Sequence, residues 1–238
     1  MGPLLTRHQD GFRGHVSFEP ETGLFTAVAL TGGSGAPNHE AAVARSLLAS
    51  EQEELNVLGD TAYGTGELRE HLQAAGHTAV IKPPALRPAI PGGFTLDDFT
   101  VDGQAGTVTC PAGHTVTLSR TRIATFGVAC RDCPLRERCT TCKTGRKLVL
   151  HERDDLLRAA RADWAADTGL REDYMQHRPN VERAVAQVAT WRGRRLKLRY
   201  RRVDKNHAWL KRRTAALNLR NLIGRGLTRR DGAWVLAT

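Results

Sequence analysis

Two runs of β-prone residues, Phe12 to Phe18 and Leu24 to Leu30, flank Glu19-Pro20-Glu21-Thr22-Gly23, and turn chemistry between two such runs predicts a hairpin. After Asn38, a residue able to cap a helix, Ala41, Ala42, Leu47 and Leu48 recur on or near one helical face and predict a helix through Ser50. Leu55-Asn56-Val57-Leu58 predicts a short buried strand ending at Gly59-Asp60. A second helix is expected from about Glu67 to Ala75, stopped by Gly76, and Thr78-Ala79-Val80-Ile81 reads as another strand. The order β-β-α-β-α-β predicts a mixed α/β sheet.

The pattern then changes. Between Lys82 and Gly93 the prolines Pro83, Pro84, Pro88 and Pro91 forbid a helix interior or a central strand, so an insertion is expected to begin there. Short β-prone pieces such as Gly106-Thr107-Val108-Thr109 and Thr115-Val116-Thr117-Leu118 follow up to about Leu150, interrupted by cysteines. From Glu152 the chain reads as helical, with a break or restart at Pro179. A long last helix is expected over roughly Asp204 to Ile223, its apolar stripe made by Ala208, Ala215, Leu219, Leu222 and Ile223. The expected divisions are residues 1–82, a first α/β part; 83–150, a Pro-rich linker with a cysteine-rich insertion; and 151–238, a helical remainder with a basic arm.

Composition narrows the function classes. The chain has 238 residues and 40% hydrophobic content, enough for one sizeable core and a small appendage. No apolar run approaches the roughly 18 residues of a membrane span, and Met1-Gly2-Pro3-Leu4-Leu5-Thr6-Arg7-His8 lacks the apolar stretch of a signal peptide, so a soluble cytoplasmic protein is expected. Between Trp191 and Asp231 fifteen Lys/Arg stand against one acid, Asp204, whereas the rest of the chain holds twenty basic and twenty-four acidic residues. An acidic-leaning body with so basic an arm points to a polyanionic partner, nucleic acid first, and otherwise to a solvated charge run. Aromatics at 5% are too few to predict a stacking platform for single strands.

All five cysteines fall between Cys110 and Cys142, as Cys110-Pro111-Ala112-Gly113-His114, Cys130-Arg131-Asp132-Cys133 and Cys139-Thr140-Thr141-Cys142. Thiolates so spaced can reach one tetrahedral ion, and a reducing compartment disfavours disulfides, so a structural Zn2+ is expected ahead of free or redox cysteines. Spacing alone nominates Cys130, Cys133, Cys139 and Cys142, with Cys110 or His114 as alternates. Among the carboxylates, Asp60 ends an apolar strand, where it either holds a divalent cation or caps the turn that follows. Glu182 lies one turn after Arg178 and so shares its helix face, whether as a site residue or as a plain surface ion pair. His15, His71, His77 and His177 show no ligand spacing. Thr31-Gly32-Gly33-Ser34-Gly35 lacks the lysine of a phosphate loop, and no nucleophile elbow surrounds any serine.

Several segments taken together resemble the C-terminal part of the DDE transposases of bacterial insertion sequences, in the branch with a cysteine-bearing insertion. They are Asp10-Gly11-Phe12-Arg13-Gly14-His15-Val16 with Glu19-Pro20-Glu21-Thr22-Gly23-Leu24, then Gly59-Asp60-Thr61-Ala62-Tyr63-Gly64. The cysteine segments, Arg178-Pro179-Asn180-Val181-Glu182-Arg183 and Ala216-Leu217-Asn218-Leu219-Arg220-Asn221-Leu222 follow. The resemblance implies a ribonuclease H-like mixed sheet whose acidic triad binds Mg2+ for phosphodiester cleavage and strand transfer. On it, Asp60 matches the second acid, Glu182 the third, Arg178 a phosphate-contacting arginine and Tyr174 the tyrosine of the same motif at a shifted spacing. A lysine frequent in the family is replaced by Ala189. It also shifts the zinc ligands to Cys110, Cys130, Cys133 and Cys139 and leaves Cys142 spare.

The first acid of the family precedes the hairpin, and Asp10 stands too late to replace it. A truncated or split transposase is therefore expected. The alternative is a non-catalytic, zinc-stabilised DNA-binding protein derived from one. The expected partner is double-stranded DNA, at transposon ends and target, bound near the nucleoid by a homo-oligomer through Tyr174, Arg178, Arg194, Arg195, Lys197 and Arg199.

Overall fold

The structure, a computed structural model, describes residues 11–236; Asp10 lies outside them. Its elements are β1 (Phe12–Glu19), β2 (Leu24–Gly32), α1 (Glu40–Leu47), β3 (Asn56–Gly59), α2 (Gly66–Ala74), β4 (Thr78–Ile81), β5 (Thr100–Asp102), β6 (Thr107–Thr109), β7 (Thr115–Thr117) and β8 (Ile123–Thr125). Then come α3 (Arg136–Cys139), β9 (Lys147–Val149), α4 (Asp154–Ala166), α5 (Thr168–Ala189), β10 (Thr190–Trp191), β11 (Arg194–Arg195), α6 (Val203–Gly224), β12 (Thr228–Arg230) and β13 (Ala233–Val235). The chain divides into two compact units, Met1–Ile81 with Asp167–Thr238, and Lys82–Ala166.

In the first unit the hairpin forms as the pattern predicts. β1 and β2 pair antiparallel with a register shift between Ser17 and Phe18, and Gly23 takes the turn at φ 72. β3 and β4 pair in parallel, with α2 as the crossover between them. Thr65 caps α2 by accepting from the Leu68 N–H at 3.3 Å, and Gly76 follows its end at φ 76. Leu68 and Leu72, one turn apart, pack with Ala41, Ala44 and Ile81 into a small core. α1 starts after His39 and not at Asn38, whose side chain donates to the Ser34 carbonyl at 2.6 Å instead.

The expected single mixed sheet is not what forms: β1–β2 and β3–β4 are separate two-stranded sheets. Each of these four strands has one partner, so β1 and β3 keep an unpaired edge among the described residues.

Two further expectations fail for identifiable reasons. α5 runs unbroken through Pro179, at the cost of the hydrogen bond that residue 179 would donate one turn back. The buried face of α6 is Asn206, Leu210 and Thr214, while Leu219 and Ile223 stand exposed. Polar anchoring decides this face. The Asn218 amide accepts from the Phe25 N–H and donates to the Phe25 carbonyl, both at 2.8 Å, and so satisfies the edge of β2 as a further strand would. One turn on, the Asn221 Nδ2 donates to the carbonyls of Thr22 and Gly23 at 2.9 and 2.8 Å.

In the second unit β5-β6-β7 form a three-stranded antiparallel sheet, and β8 pairs with β9. The Thr-Val-Thr strands turn Val108 inward, while Thr109 and Thr115 face each other across the ladder with Oγ1 atoms 2.8 Å apart. Phe99 and Phe126, ring centroids 5.6 Å apart, join Val108, Ala124, Leu148 and Leu150 in the core. Gly93 is required where the chain passes the end of α3, since a Cβ there would lie 2.1 Å from the Arg138 carbonyl oxygen. α4, grouped by sequence with the later helices, is tied to this unit. Arg158 donates to Asp154 at 2.6 Å and to the Phe99 and Leu96 carbonyls at 2.9 and 2.8 Å, and Arg161 grips both oxygens of Asp97 at 2.6 Å.

Candidate functional site

Asp60 follows the last residue of β3 and is exposed. Its Oδ1 accepts from the Ala62 N–H at 2.9 Å and so caps the single helical turn Thr61–Tyr63, as one of the two readings from sequence expected. Around it lies a group that no sequence spacing announced. Burial first, then the charges of Asp60 and Glu40, push the Tyr63 phenol above its ordinary value, while Arg13 pulls it down. Glu40, in the first turn of α1, accepts from Arg13 at 2.7 Å, and His39 lies 3.7 Å from its other oxygen. Nothing in the sequence relates Glu40 to Asp60, because the helix that carries Glu40 is separated from β3 by its own loop.

Tyr174, Arg178 and Glu182 stand on successive turns of α5 and touch. Tyr174 is 5% exposed and receives a hydrogen bond on its hydroxyl from Arg178, whose guanidinium lies 5.4 Å from the ring centroid. Arg178 Nε donates to Glu182 at 2.7 Å, and this hydrogen bond is the main reason its pKa is raised. The buried tyrosine holds the arginine, and the arginine holds an exposed carboxylate. α5 packs against β4 and β1. No hydrogen bond or ion pair joins Glu182 to Asp60 among the described residues.

In the second unit, Cys110, Cys130, Cys133, Cys139 and His114 line one cavity of about 20 Å³; Cys142 does not. Burial raises the Cys139 thiol, Arg146 opposes the rise, and Cys130, Cys110 and Cys133 add to it, so the four sulfurs feel one another. The Arg146 N–H donates to the Cys130 sulfur at 3.3 Å and its Nη1 to the Cys139 carbonyl at 3.3 Å. Cys142 is exposed, and its thiol is lowered mainly by the hydroxyl of Thr144, 3.1 Å from the sulfur. Among the described residues, no three or more His, Cys, Asp or Glu side chains stand close enough together to hold a metal ion.

Arg194 and Arg195 form β11, paired with Thr190 and Trp191 through a turn whose central residues, Arg192 and Gly193, have φ 48 and 73. They, Lys197 and Arg199 are exposed. Sequence reading missed this hairpin because two-residue strands carry no periodic signal. Among the described residues no helix is long and apolar enough to cross a membrane.

Comparison with known proteins adds one finding. The family model of the transposase DDE domain matches residues 109–223, a span that holds every cysteine, Tyr174, Arg178, Glu182 and most of the basic arm, and leaves Asp60 outside. No curated protein and no solved structure matches the chain. Residues 109–223, just under half of the chain, are similar to the transposase DDE domain family.

Proposed function

We propose that this transposase-derived protein acts on DNA, cleaving and joining phosphodiester bonds in a Mg2+-dependent reaction on a ribonuclease H-like core, with Asp60 and Glu182 as two of its acids. The match of residues 109–223 to the transposase DDE domain carries the reading, since such domains generally use Mg2+. Three features support it. Asp60 follows the carboxyl end of β3, the end of a parallel pair where ligands bind in open α/β sheets. Glu182 rides on a helix packed against β4, the partner of β3. Among the described residues β1 and β3 each pair on one edge only, which is compatible with the further strand that a ribonuclease H-like sheet has.

The donor set as it stands does not compose a two-ion site. One carboxylate caps a turn, the other is bonded to Arg178, and no group of three ligands exists among the described residues. That observation favours a second reading, a non-catalytic DNA-binding protein. In both readings double-stranded DNA is the partner of a homo-oligomer, and Tyr174, Arg178, Arg194, Arg195, Lys197 and Arg199 are contact residues. With six to ten phosphates engaged, affinity falls roughly 10³–10⁵-fold between 50 and 200 mM salt.

The cysteine cavity is read as a structural zinc site. Four thiols and one imidazole line it, which are donor types that zinc takes, and Cys110, Cys130, Cys133 and Cys139 would have to close in from their present spacing to ligate the ion. Less than one equivalent of zinc in protein purified under reducing conditions overturns that assignment. The two DNA readings separate on Mg2+-dependent nicking of DNA carrying the transposon ends. Nicking abolished by Asp60→Asn or Glu182→Gln, with binding retained, supports catalysis; binding without nicking supports the second reading.

A further inference from the structure

Two of the four tryptophans meet in one place. Trp191 of β10 and Trp209 of α6, with Arg212, Arg213, Ala216, Leu217 and Arg220, line an open groove of about 510 Å³ in the first unit. Among the described residues no acidic side chain lines it. We propose that this groove binds an unpaired nucleotide of a DNA strand, its base against the indole of Trp191 and its flanking phosphates on Arg212 and Arg220. The assignment deepens the DNA-acting reading above and rests on it.

The geometry separates two kinds of arginine. Arg213 is committed to the fold. It donates to the carbonyls of Val188, Gln187 and Thr190 at 2.7, 2.6 and 2.5 Å, where the last turn of α5 leaves acceptors unpaired. Its guanidinium lies 6.0 and 5.9 Å from the ring centroids of Trp191 and Trp209, so the cation that closes α5 also spaces the two rings. Arg212 and Arg220 are available. Arg212 spends only Nε, on the Ala208 carbonyl at 3.2 Å, and Arg220 has no hydrogen-bond or ion-pair partner among the described residues. Two helical turns separate them, about 12 Å along α6, with the small Ala216 between them as floor. Trp191 is 56% exposed, a large apolar surface left in water beside a row of cations. A π-face next to guanidinium groups is what a single strand uses, whereas a paired duplex keeps its bases stacked inside. The groove also falls within the size range of small-ligand sites. A protein partner fits less well, because it would have to bring its own acids to satisfy Arg212 and Arg220.

The test titrates the full chain, without Mg2+, with a fluorescent oligothymidylate of about a dozen nucleotides and with a blunt duplex of equal length. Trp191→Ala is expected to weaken the single strand by about 5- to 150-fold, the value of one stacked base, and the duplex by less than 2-fold. Arg212→Gln with Arg220→Gln weakens the single strand and lowers its salt slope. Trp209→Phe, which keeps a ring in the partly buried position, retains most of the affinity. An unchanged single-strand affinity in Trp191→Ala, or equal losses for both probes at an unchanged melting midpoint, overturns the proposal. Absence of duplex binding, and of nicking once Mg2+ is added to DNA carrying the transposon ends, with Trp191-dependent single-strand binding intact, overturns the transposase reading and leaves the groove.

Discussion

In Lys82–Ala166 the reactive side chains are the core: Cys130 and Cys139 pack among Phe99, Val108, Phe126 and Leu148. In the other unit the candidate carboxylates are not. Asp60 and Glu182 stand exposed at the edge of a framework built by Leu68, Leu72, Ile81 and the asparagines of α6. The cysteine unit is small, its strands are three residues long, and its chemistry cannot be altered without altering its stability. In the first unit the reactive groups sit on short local supports, a capped turn and a tyrosine-braced arginine, so function and folding can be separated by single substitutions.

The largest expected effect follows from the cysteine unit. Cys139→Ser puts a hydroxyl in an apolar lining and removes a thiol from the shared cavity, and should cost about 2–4 kcal/mol. Hydrogen exchange would read this as loss of protection over β5 to β9 with the amides of α1 and α2 still protected. A zinc chelator added to the unaltered chain should reproduce the pattern if the thiols hold the ion. Loss of protection in both units together would erase the distinction between them.

Second in size is Asn218→Ala. Phe25 is 7% exposed, and its N–H and carbonyl both depend on this one amide, so about 1–3 kcal/mol of unfolding free energy in urea should be lost. An unchanged denaturation midpoint would mean that α6 is held by its apolar contacts alone. The same residue shows what the sequence could and could not disclose. The hairpin, α1, α2 and the strands that end at Gly59 and Ile81 were legible because periodicity and turn residues are local. The ladders were not, since pairing depends on which edges find partners. The stripe Ala208, Ala215, Leu219, Leu222 and Ile223 was legible as a pattern and wrong as a buried face. Hydropathy cannot register that the half-buried Asn218 and Asn221 are held by backbone bonds on the hairpin. Asp60, Glu182 and the cysteines stood out as chemistry on recognisable segments. The convergence of Glu40 and Asp60 on Tyr63, and of Trp191 and Trp209 on Arg213, are products of packing.

A smaller effect is carried by pH. His15 is 2% exposed, and its Nε2 lies 3.2 Å from the Thr31 hydroxyl. Burial lowers its pKa from 6.5, Glu40 opposes this and Arg13 adds to it. The folded unit thus prefers the neutral ring and binds fewer protons than the unfolded chain below pH 6.5. The stability this contributes is in place above that pH and is lost as pH falls through the folded value. Between pH 7 and 5 the melting midpoint of the unaltered chain should fall more steeply than that of His15→Gln. Parallel slopes would remove His15 from the account.

The smallest expected change in stability is the one that tests the separation most directly. Asn caps a turn as well as Asp, so Asp60→Asn keeps the bond from the Ala62 N–H. Glu182→Gln loses the charge of a pair that is exposed on both sides, and exposed pairs contribute little. Tyr174 and Arg178 keep their own hydrogen bond without it. Both variants should melt within about 2 °C of the parent chain while changing whatever nicking activity the parent shows. A larger fall in either would make that carboxylate part of the framework, and the first unit would then resemble the cysteine unit, with its reactive groups bearing the fold.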